Sequence, residues 1–227
     1  MLSLNNITSS KLSARPDGLR LSLIGADRQA EFTSSVYSVY SEVFGARHGW
    51  ESKKEDYEEM LRDDRNFSPD SAFLAIETIE EEIMATVRLT RWKPGMTLPI
   101  EYEFGENVQD LVNSLSPTPS EVWHAGRLSI DKQKLSARGF PKSHSYRLLR
   151  DITAYCVQLV QPDQTVILIS EADELAAKIY RKMGVRLEAI ADSVDYLGST
   201  TVPVLMRTED LKQSNWMNQN DLQPAFS

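Results

Sequence analysis

The chain has 227 residues, of which 41% are hydrophobic and 26% are charged, and this composition argues against a disordered chain. Its net charge of −8 gives no general reason to expect binding to nucleic acid or to an acidic membrane. No apolar run has the length of a membrane span, and the first residues lack the pattern of a secretion signal. The single cysteine, Cys156, cannot form an intramolecular disulfide, which fits a reducing compartment. We therefore expect a soluble, cytoplasmic protein.

The polarity of the chain predicts one folded domain with loose ends. Residues 1–18 are polar and close with the turn signal Pro16-Asp17-Gly18, so we expect a loose N-terminal segment there. Residues 19–210 are expected to form a single domain, and residues 211–227 a polar C-terminal tail.

Hydrophobic periodicity predicts a strand, two helices and a hairpin in the first part of the domain. Leu19, Leu21 and Leu23 alternate with polar residues, as in a half-buried strand. The first helix is expected to begin at Asp27 and to end at Gly45. The elements that follow are a charged helix at about 52–64 and two antiparallel strands at 71–79 and 82–92.

Helices and strands alternate in the second part. The predicted order is a short helix at 108–115, a strand at 121–131, a helix at 143–159 stopped by Pro162-Asp163, a strand at 165–170, a helix ended by Gly184, a strand at 185–189 and a final strand after Gly198. Such an order favours an α+β or α/β domain around one mixed sheet.

Residues 176–185 have the pattern of an amphipathic helix that runs directly into a strand. Ile179 and Met183 share one face, and Gly184 is the residue expected where a chain turns left-handed to leave a helix. The run resembles the helix-to-strand signature of the GNAT superfamily of acyltransferases, with Ile179-Tyr180 at the position of its Leu-Tyr pair. The resemblance implies a three-layer α+β fold with a mixed, mostly antiparallel central sheet flanked by helices.

Two further runs narrow the resemblance. The first is Tyr40-Ser-Glu-Val-Phe44 followed by Gly49-Trp50, and the second is Ala85-Thr-Val-Arg-Leu89 together with 122–128. Both are similar to runs of the acyl-homoserine-lactone synthases and N-acyl-amino-acid synthases, which usually have Arg in place of Tyr40. The resemblance implies transfer of a fatty-acyl group from acyl carrier protein, or acyl-CoA, to the amine of an amino acid or related molecule. It implies no metal.

The resemblance also implies a set of substrate-binding residues. They are Phe44, Trp50, Arg88, Phe104 and Arg127. Arg88 and Arg127 are expected on neighbouring strands, where an unpaired buried charge is costly. They are expected either to pair with the acidic residues around Asp64 and Asp70 or to bind the carboxylate of the acceptor, and pairing is favoured.

His124 is the first candidate for the catalytic base. It stands where the synthases have a glutamate that acts on the amine, and imidazole is suited to proton transfer near neutral pH. His124 also shares a strand face with Val122 and Gly126, so a buried histidine of the core is the favoured interpretation. Glu121 and Glu101 are alternative bases.

Tyr180 has two possible roles. It matches the GNAT tyrosine whose hydroxyl protonates the departing thiolate, but its ring could equally pack on the sheet with the hydroxyl in water.

A phosphopantetheine arm requires a phosphate site at a helix start. Arg138, Gly139, Lys142 and Ser143 are the candidates, although they do not match the glycine-rich loop of GNAT enzymes. The mismatch favours a carrier-protein donor, which a local group of basic residues could dock. The group is Lys132, Lys134, Arg138, Lys142, Arg147 and Arg150. A conventional acetyl-CoA acetyltransferase and a non-catalytic GNAT-fold binding domain are the alternatives.

Overall fold

The computed structural model describes residues 8–160, 165–196 and 199–213. They divide into two compact units. The first includes the residues up to Thr90 together with Arg127–Cys156, and the second includes Arg91–Gly126 and the residues from Val157 onward. The expectation of a single domain at 19–210 stays a prediction.

The elements alternate much as the sequence predicts. The strands are β1 Ser10–Ala14, β2 Arg20–Ile24, β3 Ser71–Glu77, β4 Ile83–Arg91, β5 Glu121–Ile130, β6 Val166–Asp173, β7 Glu188–Ala189, β8 Val194–Tyr196 and β9 Ser199–Arg207. The helices are α1 Gln29–His48, α2 Lys54–Phe67, α3 Pro99–Phe104, α4 Val108–Ser114, α5 Lys132–Ala137, α6 His144–Leu159, α7 Glu174–Lys182 and α8 Thr208–Gln213. None of these described helices is long and apolar enough to cross a membrane.

Strand pairing is mixed and mostly antiparallel. In the first unit, β1 pairs with β2, β2 with β3 and β3 with β4, all antiparallel. In the second unit, β5 pairs parallel to β6, and β6 pairs antiparallel to β9, which also pairs with β7 and β8. The pairing and the accompanying helices confirm the predicted fold class.

Apolar side chains from helices and strands form the cores of the units. In the first unit α1 packs Phe32 and Val36 against β3, where the Phe32 ring meets Phe73 edge-on at 5.2 Å between centroids. In the second unit Ala177 of α7 packs against β6 and β9. Both helices therefore bury an apolar face against the strands of their own unit.

The structure differs from the sequence prediction at several ends of elements. Helix α1 continues through Gly45 and ends at Gly49, which takes the left-handed conformation at φ +68°. Ser10–Ala14, inside the segment expected to be loose, forms β1 against β2. The strand expected at 185–189 is reduced to Glu188–Ala189. Pro162-Asp163, Gly198 and the end of the tail at 214–227 lie outside the described residues.

A buried polar group holds the turn before β2 against α6. Arg15 pairs with Asp17 at 2.8 Å and with Asp151 at 2.9 Å. His144 Nε2 lies 3.0 Å from Asp17 Oδ2 but out of line for a hydrogen bond, and its ring stacks on Phe140. Burial lowers the pKa of His144; Asp17 opposes this, while the positive charges of Arg147 and Arg15 add to it. His144 is therefore held neutral in the folded protein.

We expect this histidine to make the protein less stable in mild acid. As the pH falls below about 6.5, the ordinary value for histidine, the unfolded chain binds a proton that folded His144 does not, so the free energy of unfolding decreases. His144→Gln should remove that part of the decrease. Urea unfolding of both proteins at several pH values measures it, with exposed His48→Gln as the matched control. An unchanged pH dependence in His144→Gln would contradict this account.

Candidate active site

His124 and Glu171 form a pair on adjacent strands of the second unit. Within the described residues, the β5–β6 ladder runs from Glu121–Val166 to His124–Ile169 and ends there. Glu171 lies two residues beyond Ile169 and therefore on the same face as His124. His124 Nε2 lies 2.8 Å from one carboxylate oxygen of Glu171 and 3.1 Å from the other. The pair thus sits where the two strands stop pairing.

When the imidazole of His124 is neutral, its contact with Glu171 decides which ring nitrogen carries the proton. Neutral imidazole has one donor and one acceptor, and a carboxylate only accepts. Nε2 must therefore be the donor, which leaves Nδ1 as an acceptor. Nδ1 is buried and has no hydrogen-bond partner in the described part of the chain. A buried polar atom without a partner lowers the stability of the fold by about 1–3 kcal/mol. The position of His124 therefore has to be explained by something other than stability.

The two alternative bases are engaged in local structure. Glu121 accepts a hydrogen bond from Arg91 at 2.6 Å and another from the Trp123 indole at 2.8 Å. Glu101 accepts from the backbone N–H of Leu98 at 2.7 Å and caps the start of α3. Each carboxylate is therefore held by groups of its own unit, and the roles of both as a base stay predictions.

Arg88 and Arg127 share one carboxylate in the first unit. Arg88 Nη1 lies 2.6 Å and Arg127 Nε 2.9 Å from the same oxygen, Oδ1 of Asp64. The other oxygen accepts a hydrogen bond from Thr33 at 2.8 Å. Both arginines pair with Asp64, which confirms the predicted pairing with the acidic residues of α2. A substrate-binding role for the two stays a prediction.

Two features show how strongly this group is constrained. Arg88 is 1% exposed and lies over the Phe67 ring at 4.9 Å; burial, together with the charge of Arg127, lowers its pKa below the ordinary value. Arg127 has φ +58°, a left-handed conformation that is uncommon for arginine. Strain of this kind persists only where the surroundings hold it, and the bond to Asp64 is such a restraint.

Phe44 and Trp50 come together at the end of α1. Their ring centroids are 6.5 Å apart, and Tyr37 lies 6.2 Å from Trp50. Tyr40, which stands where the synthases usually have Arg, packs on Phe44 at 5.3 Å. All four rings are only partly buried, and the substrate-binding role of Phe44 and Trp50 stays a prediction. Phe104, in the second unit, instead packs against Tyr196 at 6.4 Å.

The candidate phosphate site forms the turn between α5 and α6. Gly139 has φ +79° and leads into Lys142 and Ser143, which are exposed immediately before α6. Arg138 is bound to Glu82 at 2.6 Å, so its charge is already partly compensated. Tyr180, in the second unit, is half-buried on α7.

Only part of the basic group predicted from the sequence is available on the surface. Arg150 pairs with Asp151 at 3.0 Å, and Lys134 donates to the Ile83 carbonyl at 3.2 Å. Lys132, Lys142 and Arg147 are exposed and form no ion pair with any described residue. We call these three residues the basic surface.

The known proteins that resemble this chain do so in fold. No protein-family model and no curated protein matches the sequence. Among solved structures, TofI in complex with an inhibitor and MTA is 18% identical, with a TM-score of 0.56 over 96% of this chain and 99% of that chain. FeeM, an N-acyl amino acid synthase from uncultured soil microbes, is 10% identical, with a TM-score of 0.58 over 86% of this chain and 94% of that chain.

A third structure is a CoA-dependent acyl-homoserine lactone synthase, BjaI, with SAM and isopentyl-CoA. It is 10% identical, with a TM-score of 0.54 over 86% of this chain and 84% of that chain. The chain therefore has the fold of acyl-homoserine-lactone synthases and N-acyl-amino-acid synthases, which confirms the predicted resemblance.

Glu171 was not among the site residues predicted from the sequence. It lies 47 residues from His124, and the two meet only through the parallel register of β5 and β6. The strand prediction for 165–170 stopped one residue before it. A signal was present, since an acidic residue directly after an apolar strand is placed at the strand's carboxyl end.

Proposed function

We propose that the protein is an N-acyltransferase. It moves a fatty-acyl group from a phosphopantetheine thioester to the amine of an amino acid or a related small molecule, in the cytoplasm. The observation that carries the proposal is the His124–Glu171 pair at the end of the β5–β6 ladder, in a chain with the synthase fold.

The chemistry explains why such a pair is needed. An amino-acid amine is protonated at neutral pH and has no lone pair with which to attack, so a positioned base must take one proton. The free amine then forms a bond to the thioester carbon, and the C–S bond breaks. The thiolate leaves with the electron pair of that bond and is protonated. The products are an amide, the free thiol of the donor and one released proton.

The structural relatives support both halves of this reaction. FeeM is an N-acyl amino acid synthase, which agrees with an amino-acid acceptor. BjaI was solved with SAM and isopentyl-CoA, so SAM and a CoA thioester belong among the compounds to test. Phe44 and Trp50 are proposed to contact the acceptor, because partly buried aromatic rings provide apolar area at low entropic cost.

An acyl carrier protein is the proposed donor. Carrier proteins are strongly acidic, and the basic surface offers complementary charge on a chain whose net charge is −8. Gly139, Lys142 and Ser143 precede α6, whose N-terminus favours a phosphate, and Lys142 also belongs to the basic surface. Arg138 would add a cation on release from Glu82.

A matrix of donors and acceptors tests the proposal. The protein is incubated with an octanoyl carrier protein, octanoyl-CoA or acetyl-CoA, each with the twenty amino acids or SAM, and products are found by mass spectrometry. We expect an N-octanoyl product from the carrier donor. Acetylated products from acetyl-CoA alone would assign a conventional acetyltransferase, and carrier binding without any product would assign a non-catalytic domain; either result contradicts the proposal.

A further inference from the structure

We propose that Glu171 is the catalytic base and that His124 is the positioning residue that holds its carboxylate. The inference rests on the proposed function and assigns the proton transfer of that reaction to one side-chain carboxylate. From the sequence, His124 was the candidate base and Glu171 had no predicted role.

The two members of the pair differ in their exposure to solvent. The side chain of His124 is 1% exposed and that of Glu171 is 11% exposed. A base must come within hydrogen-bond distance of the proton that it removes. Of the two, Glu171 is therefore the side chain that an acceptor amine can reach.

The hydrogen-bond pattern leads to the same assignment. Nε2 of His124 is committed as a donor to Glu171, and Nδ1 is enclosed by protein. Neither nitrogen can accept a proton from a substrate unless the ring turns. A carboxylate only accepts, at two oxygens, so Glu171 can take a proton where the committed Nε2 and the enclosed Nδ1 of His124 cannot.

The same pattern gives the buried histidine a purpose. The N–H of His124 fixes the orientation of the Glu171 carboxylate at the point where β5 and β6 separate. The unpaired Nδ1 is the cost of placing the imidazole there. A lysine or arginine donor would instead bury a positive charge beside an incoming ammonium group.

The proton balance of the step is simple. One proton moves from the ammonium nitrogen of the acceptor to a carboxylate oxygen of Glu171, and the freed amine attacks the thioester carbon. The amine nitrogen gives up its second proton as the amide forms, and that proton neutralises the departing thiolate when the C–S bond breaks. The proton on Glu171 passes to water, so Glu171 is a carboxylate again and one proton is released.

Two classes of acceptor distinguish a base from a structural residue. An amino acid is an ammonium ion at neutral pH and needs the base, whereas hydroxylamine is already unprotonated and does not. We expect Glu171→Gln to lower kcat for the amino acid by about 10²- to 10⁴-fold, and the rate of acyl-hydroxamate formation by less than about tenfold. Glu171→Asp should restore part of the activity with the amino acid.

His124 variants test the positioning role in the same assay. His124→Phe removes the donor and should lower kcat for the amino acid by about 10²-fold, with little change in KM. His124→Gln keeps an N–H donor and should recover part of that loss. Glu174→Gln, an exposed carboxylate at the start of α7, is the matched control and should be unchanged.

Three outcomes overturn the inference. Full activity of Glu171→Gln with the amino acid, alongside loss in His124→Phe, assigns the base to His124. Equal loss of both reactions in Glu171→Gln makes Glu171 a structural residue. If the unaltered protein forms neither an amide nor a hydroxamate from any thioester, the proposed function fails as well, so the two failures are distinguishable.

Discussion

Replacement of Asp64 by alanine should lower the free energy of unfolding by about 3–5 kcal/mol. Asp64 is fully buried and neutralises Arg88, which is 1% exposed. Without the carboxylate, Arg88 would be a buried charge with no bonded counterion, and Arg127 would lose the bond that restrains its left-handed backbone. Urea unfolding followed by circular dichroism measures the loss.

Two variants separate the charge effect from lost packing. Asp63→Ala is the matched control, because Asp63 is 30% exposed and lies 3.8 Å from Arg127, so its loss should be below about 1 kcal/mol. The double variant Asp64→Leu with Arg88→Met should be more stable than Asp64→Ala, because it removes the buried charge together with its partner. A double variant as unstable as Asp64→Ala would contradict the explanation by an unpaired charge.

Reversal of two charges on the basic surface should weaken use of a carrier-protein donor. We expect Lys132→Glu with Arg147→Glu to lower kcat/KM for octanoyl carrier protein by about 10- to 100-fold at low salt. For octanoyl-CoA, which requires no protein docking, the change should be within about threefold. Steady-state kinetics at two salt concentrations measure both effects.

A matched reversal in the second unit controls for net charge. Lys178→Glu with Lys182→Glu places the same number of negative charges on the exposed side of α7. This variant should retain the carrier-dependent rate. A loss of equal size in both double variants, or an equal loss with octanoyl-CoA, would show that the basic surface is not the docking site.

The spacing of apolar residues predicted the regular elements well, because apolar residues at the period of a helix or strand mark its buried face. The hairpin of β3 and β4, the long α6 and the final strand all lie where the sequence places them. The predicted end of α1 was wrong because the segment contains two glycines, Gly45 and Gly49, and only Gly49 takes a positive φ. Local sequence does not distinguish a glycine that a helix tolerates from the one that ends it.

Short helices were missed where side-chain capping, and not periodicity, forms them. Helix α5 begins after Asp131, whose carboxylate accepts the backbone N–H of Lys134. Helix α3 begins at Pro99, with Glu101 bound to the N–H of Leu98. Both are standard helix-start signals, but each helix has only six residues and too few apolar positions to show a stripe.

The candidate site was predictable in part. The pairing of Arg88 and Arg127 with an acidic residue follows from the cost of burying a charge, although the choice of Asp64 over Asp70 depends on how α2 lies on the sheet. The meeting of His124 with Glu171 depends on the register of a parallel strand pair. Register between distant strands is a property of the whole fold, so the sequence indicated one member of the pair and not the other.

The central claim is that the protein joins an acyl group to an amine, and a balance of products tests it most directly. The unaltered protein is mixed with octanoyl carrier protein, labelled with carbon-13 in the acyl group, and the amino-acid acceptor found in the donor and acceptor matrix. The label in the amide and the free carrier thiol are then measured together. We predict that amide and thiol appear in equal amounts. Release of thiol with the label in free octanoate, or no release at all, would contradict the account.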